Sequence, residues 1–184
     1  ALNLAGLVLG MTAAILIFLH VEHQLSYDKY HENSERLYRL VTKVEGAAYE
    51  GVAKVGGAWG SAAKTSIAEV ENATRFVFFG RTLVGRGDDA FYSQFGLYAD
   101  PTVFEMFSWN LVAGDPTQVL EEPHSLVVTQ SFAERCFGDE NPIGKTITFD
   151  NEFNYTVTGV MQDVPSNSHF TFTFLASLNS TRAP

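Results

Sequence analysis

Residues 2–19 read LNLAGLVLGMTAAILIFL, and the architecture is decided by how this run is interpreted. Asn3 and Thr12 are its only clearly polar side chains, and no Asp, Glu, Lys or Arg occurs before Glu22. A helix rises 1.5 Å per residue, so about 20 residues cross the ~30 Å hydrocarbon core of a bilayer. The run is therefore predicted to be a membrane-spanning helix. A secretory signal would carry basic residues before the run and a small-residue cleavage site after it. Instead the sequence VEHQLSYD follows at 21–28. A core helix of a soluble protein would show a polar stripe. Gly6, Gly10 and Ala14 recur near helical spacing, a small-residue stripe against which a second helix can pack in lipid. The sequence opens inside the apolar run without Met, as a fragment would.

Outward from the span the composition changes. The 184 residues hold 12 basic and 21 acidic side chains, a net charge of −9. Residues 22–81 are balanced, with eight of each sign, whereas 82–184 carry 13 acids and four bases. The whole excess of negative charge thus belongs to the C-terminal half, which argues against a nucleic-acid partner. The near-zero mean hydropathy averages a lipid-compatible segment with a water-compatible one. At 46% apolar and 18% charged, the chain is not a disordered tail. The single cysteine, Cys136, excludes a disulfide scaffold or a zinc site of several thiolates, and it reads as a buried structural thiol.

The helix is expected to continue past His20 to about Tyr30, since no breaker intervenes. Asn33 is placed to cap a short turn at 34–37. Residues 38–45 alternate and predict a strand, 46–57 a glycine-dotted loop, 58–70 a helix and 72–79 a strand, together a compact βαβ-like unit. Farther on, 81–89 reads as a strand end and turn, and 91–98 as a strand. Asp100 stands as the cap of a short helix through 107, with Pro101 at its first position. A turn at 114–116 and a one-turn helix at 117–120 follow. Residues 125–129 predict a strand and 131–137 a helix closed by Gly138. Residues 145–150 and 153–163 predict strands joined by a turn. A tight loop at 164–169 leads to a last strand at 170–178. The aromatics Phe104, Phe107 and Trp109 are assigned to the core.

No catalytic constellation emerges. His20 and His23 flank Glu22 at helical spacing, but an interfacial helix end explains them better than a metal site. Glu121, Glu122, Asp139 and Glu140 read as solvated turns rather than a glycosidase pair. The phosphate-binding pattern GxxxxGK[ST] is absent, and Gly144-Lys145-Thr146 reads as a turn into a strand.

The segments NLAGLVLGMTAAILIFLHVEHQLSYDKYHENSERLYRL at 3–40, YADPTVFEMFSWNLVAGDP at 98–116, EPHSLVVTQSFAERCFGDENPIGKTI at 122–147 and YTVTGVMQDVPSNSHFTFTFLASL at 155–178 resemble, in order, the front part of MacB/FtsX-type ABC transporter permeases, in the form common in Bacteroidetes-type bacteria. The resemblance implies an α+β extracytoplasmic domain behind a membrane helix and stalk at 1–32. That domain would have a first α/β part at 33–80, a β-rich part at 81–178 and a tail at 179–184. It implies a closing helix and strand, then three further spans, beyond this sequence. It also implies a bacterial inner-membrane location, a cytoplasmic ABC ATPase partner, a second permease protomer, the lipid bilayer and a periplasmic adaptor or substrate, with no cofactor and no catalysis in this chain. ATP-driven motion would pass through the stalk to the outer domain, and Tyr27, Asp28, His31, Arg36 and Tyr38 are the residues expected at that joint. The alternative is a membrane-anchored ligand-sensing domain signalling through one helix.

Overall fold

The computed structural model describes residues 2–43, 51, 54–86 and 89–182. The apolar run forms one helix, α1 (Leu2–Leu25). Its segment Asn3–Leu25 is long and apolar enough to cross a membrane, and none of it is buried inside the protein. Added Cβ atoms at Gly6 and Gly10 would meet open space, so the small-residue stripe faces nothing within the chain.

The helix stops at Leu25, five residues short of Tyr30. No glycine or proline breaks it. The Ser26 amide and Oγ both turn back to the His23 carbonyl, at 3.2 and 2.7 Å, and Asp28 adopts a left-handed conformation with φ 56°. Non-glycine residues rarely adopt that conformation without a bond that holds them there.

Nine strands form one mixed sheet among the described residues. They are β1 (Phe76–Phe78), β2 (Thr82–Arg86), β3 (Asp89–Ser93), β4 (Gly96–Ala99), β5 (Leu111–Ala113), β6 (Ser125–Thr129), β7 (Thr146–Phe149), β8 (Phe153–Met161) and β9 (Phe174–Ser177). Their order is β1-β4-β9-β6-β8-β7-β2-β3, with β5 also paired to β8. Pairs β4–β9 and β6–β8 are parallel, and the others are antiparallel. Between β6 and β8 the chain passes through α4 (Gln130–Phe137) and β7, so the helical crossover lies in the second half of the domain.

The first half differs from the alternation in its sequence. Residues 38–43 form no strand and only an isolated bridge at Thr42, and 44–45 lie outside the described residues, as does most of the expected loop at 46–57. The helix expected at 58–70 is α2 (Trp59–Ser66), and the strand at 72–79 shortens to β1, which runs antiparallel to β4. Asp100 does not cap the short helix α3 (Val103–Met106) with its side chain. Its carboxylate instead accepts from the Arg75 amide at 2.9 Å and from the guanidinium at 2.7 and 2.6 Å. This bidentate pair ties the approach to β1 to the end of β4 and raises the Arg75 pKa further.

The later elements match their patterns closely. Thr129 caps α4 by accepting from the Phe132 amide, and Gly138, at φ 59°, closes it. β6 and β9 are buried along their whole length because both faces of the sheet are covered. Alternation sends Leu126, Val128, Phe174 and Ala176 to one core, beneath α4, with Phe132, Phe137, Phe149 and Tyr155. Val127 and Leu175 point to a second core with Leu97, Val103, Trp109, Leu120 and Phe172. Cys136 is half-buried against the first core. The short 3-10 helix Leu178–Arg182 is held to the domain, with Ser180 Oγ accepting from the His124 amide at 2.8 Å.

Candidate functional site

The second core reaches the surface where α1 ends, and there the turn after the span meets two segments distant in sequence. One is the loop 167–170 before β9; the other is 106–109 between α3 and β5. The contact has an exposed half and a buried half.

The exposed half is centred on Asp28. Its amide donates to the Asn167 carbonyl at 3.0 Å, and its carboxylate accepts from the His169 amide at 3.0 Å and meets His169 Nδ1 at 2.6 Å. Asn167 Nδ2 donates in return to the Ser26 carbonyl and Oγ, at 3.1 and 3.2 Å. Tyr27 sets its ring edge-on to His169, with centroids 5.0 Å apart. These bonds hold the left-handed Asp28. Partial burial opposes the Asp28 charge, but the amide and ring of His169 outweigh it and hold the carboxyl below its ordinary value. The His169 side chain is 74% exposed, so its contact with the carboxylate stabilises by no more than about 1 kcal/mol.

The buried half is centred on His31, which is 2% exposed. Its Nδ1 accepts from the Ser108 amide at 3.1 Å. Its ring packs against Tyr30, Phe107 and Trp109 at centroid distances of 4.0, 5.0 and 5.6 Å. Phe107 and Trp109 are stacked, and Phe170 and Phe172 close the cluster edge-on to Trp109. Tyr30 Oη links all three segments, accepting from Trp109 Nε1 at 3.1 Å and donating to Ser168 Oγ at 2.9 Å. The Glu32 amide donates to Ser108 Oγ at 2.9 Å. Burial lowers the His31 pKa, with Asp28 pulling weakly the other way.

Of the five residues expected at the joint, the structure brings Tyr27, Asp28 and His31 together. Arg36 pairs instead with Glu71 at the surface, and Tyr38 is 87% exposed. Tyr30, the three-way link, lies outside the set expected at the joint, and a tight loop at 164–169 gives no sign of where the polar atoms of 167–169 are bonded. Their partners lie about 140 residues away. Phe107 and Trp109 are packed, as their composition suggests, with Trp109 6% exposed. Among the described residues no three or more metal-ligating side chains cluster.

A mixed sheet is thus joined, through the bonded turn at 26–31, to an exposed helix long and apolar enough to cross a membrane. The sequence matches the family model of the MacB-like periplasmic core domain over residues 1–183, and the chain belongs to that family. It is similar to the crystal structure of a domain described as that of a permease protein from Porphyromonas gingivalis, at 26% identity and a TM-score of 0.63. That match covers 73% of this chain and 61% of the other. The periplasmic region of MacB from Actinobacillus actinomycetemcomitans shares the fold at 20% identity and a TM-score of 0.51, covering 66% of this chain and 53% of that one. This chain therefore spans about three fifths of the first relative and about half of the second. Among curated proteins, none matches the sequence.

Proposed function

We propose that this chain is the first membrane helix and part of the outer domain of an inner-membrane ABC transporter permease, and that its joint couples a cytoplasmic ATPase to motion outside the membrane. The observation that carries this reading is the docking of the post-helical turn onto two distant segments of the domain through Asp28, Tyr30 and His31. A helix free to swivel on a flexible linker would transmit little force. A turn bonded through its own amide, carboxylate and rings moves with the domain. Coupling does not need the helix to run unbroken to Tyr30, because the turn is stiffened by these contacts. In this reading Gly6, Gly10 and Ala14 face a neighbouring helix, from the same permease or a second protomer. Family membership favours the permease over the ligand-sensing anchor. A periplasmic adaptor and the transported substrate would meet the domain elsewhere on its surface.

The test is made in the whole transporter, with spin labels on the outer domain and on α1. Replacing residues 27–31 by a Gly-Ser stretch is expected to preserve ATP hydrolysis but abolish the nucleotide-dependent change in the distance between labels. An unchanged nucleotide response in that variant overturns the coupling role.

A further inference from the structure

The buried half of the joint holds a histidine in a seat that accepts only its neutral form. The Ser108 amide is a fixed donor aimed at His31 Nδ1, so that nitrogen carries no proton and the ring proton sits on Nε2. Nε2 is buried and has no hydrogen-bond partner among the described residues. The ring is enclosed by Tyr30, Phe107 and Trp109. Protonating Nδ1 would set two donors face to face and leave the Ser108 amide without its acceptor. It would also place a full charge where water cannot reach.

We infer that His31 is an acid-sensitive release for the joint: protonation ejects its ring from the aromatic seat and frees the turn after the membrane helix while the Asp28–His169 latch still holds. The release rests on these contacts alone; its consequence for transport rests on the coupling role proposed above.

The ionisable groups around His31 support this order of events. Its own turn contributes Asp28, Lys29, Tyr30 and Glu32. Asp28 is the anion whose charge acts on the ring, and its pull on the imidazolium is weaker than the effect of burial. Segment 106–109 contributes no ionisable side chain. Loop 167–170 contributes His169, whose ring already faces the Asp28 carboxylate. A histidine whose folded pKa is lowered contributes stability that is present above its ordinary value of 6.5 and is lost as pH falls through the lower folded value. An aspartate whose folded pKa is lowered keeps its contribution until pH falls below 3.8. Between these limits the seat is weakened and the latch is intact. The joint thus has a window of mild acidity in which its exposed half is intact and its buried half is weakened.

The experiment uses the 184-residue chain in lipid nanodiscs. Trp59→Phe leaves Trp109 as the only indole, since the chain has two tryptophans. Contact with a charged imidazolium, and wetting of the seat, both change indole emission. Emission is expected to change on acidification with a midpoint below 6.5, the change vanishing in His31→Asn and persisting in His169→Asn. Nitrogen NMR of labelled histidine should find the His31 proton on Nε2 at neutral pH. Protection of the Ser108 amide from exchange should fall by about tenfold or more from pH 7.5 to 5. An emission change that survives His31→Asn, or a His31 midpoint at or above 6.5, overturns the inference. If His31→Asn fails to fold, amide exchange in the unsubstituted chain decides the matter: flat Ser108 protection across that range overturns it and acid-dependent loss supports it. An acid transition present alongside a Gly-Ser variant that still responds to nucleotide would remove the coupling role and leave the release standing. The converse pair of results would remove the release alone.

Discussion

Asp28 meets the 167–169 loop in partial contact with water, whereas His31, three residues later, is sealed against Phe107 and Trp109. The first contact consists of an ion pair and amide bonds, the second of stacked rings with one directed hydrogen bond. Water competes for every bond in the exposed half, so that half sets direction and contributes little stability. The buried half removes apolar area from water and aligns rings, so it sets strength. A joint built this way is oriented by its rim and held by its centre.

The comparison breaks most readily at its centre. Trp109→Ala removes the ring through which the buried half joins the second core, and it is expected to destabilise the domain by about 3–5 kcal/mol. The urea midpoint of the chain in nanodiscs reads this, and a loss below about 1 kcal/mol would mean the buried half does not set strength. Tyr30→Phe keeps the ring and deletes the hydroxyl between Trp109 Nε1 and Ser168 Oγ. It leaves the buried indole N–H unpaired, for an expected loss of about 1–3 kcal/mol by the same measurement. Asp28→Asn keeps an acceptor for the His169 amide and removes the charge. Its expected loss is under about 1 kcal/mol, and a larger one would move the stabilising weight to the rim.

How much of this was legible beforehand varies along the chain. The span needed only a run without charge. β6, α4, β7 and β8 follow from alternation, from Thr129 and Gly138 at the helix ends, and from Asp150 and Asn151 in the left-handed turn between β7 and β8. Residues 38–43 alternate equally well and yet form only one bridge, because alternation records a preference for two unlike faces and names no neighbour. Asp100-Pro101 has the local form of a helix start, but Arg75 offers the carboxylate two guanidinium bonds where a cap offers one amide. In the candidate site, Tyr27, Asp28 and His31 were expected only through the family resemblance, which also named Arg36 and Tyr38. Asn167, Ser168 and His169 were readable only as loop residues, and no pattern in 164–169 points to Ser26 or Asp28.

The sequence by itself determined that α1 is long and apolar enough to cross a bilayer, that the excess negative charge lies in residues 82–184 and that 125–129 is a strand. These are sums over neighbouring residues, set by transfer free energy and by the periods of helix and strand. Only the tertiary structure decided that the helix ends at Leu25, that Asp28 turns left-handed and that the His31 ring is sealed with its Nδ1 facing the Ser108 amide. Each of these depends on a donor or ring contributed from far along the chain: Asn167 and His169 for the turn, Ser108 and Trp109 for the seat. A hydrogen bond is satisfied by whatever group the fold brings within about 3 Å, and short-range periodicity carries no record of which group that will be.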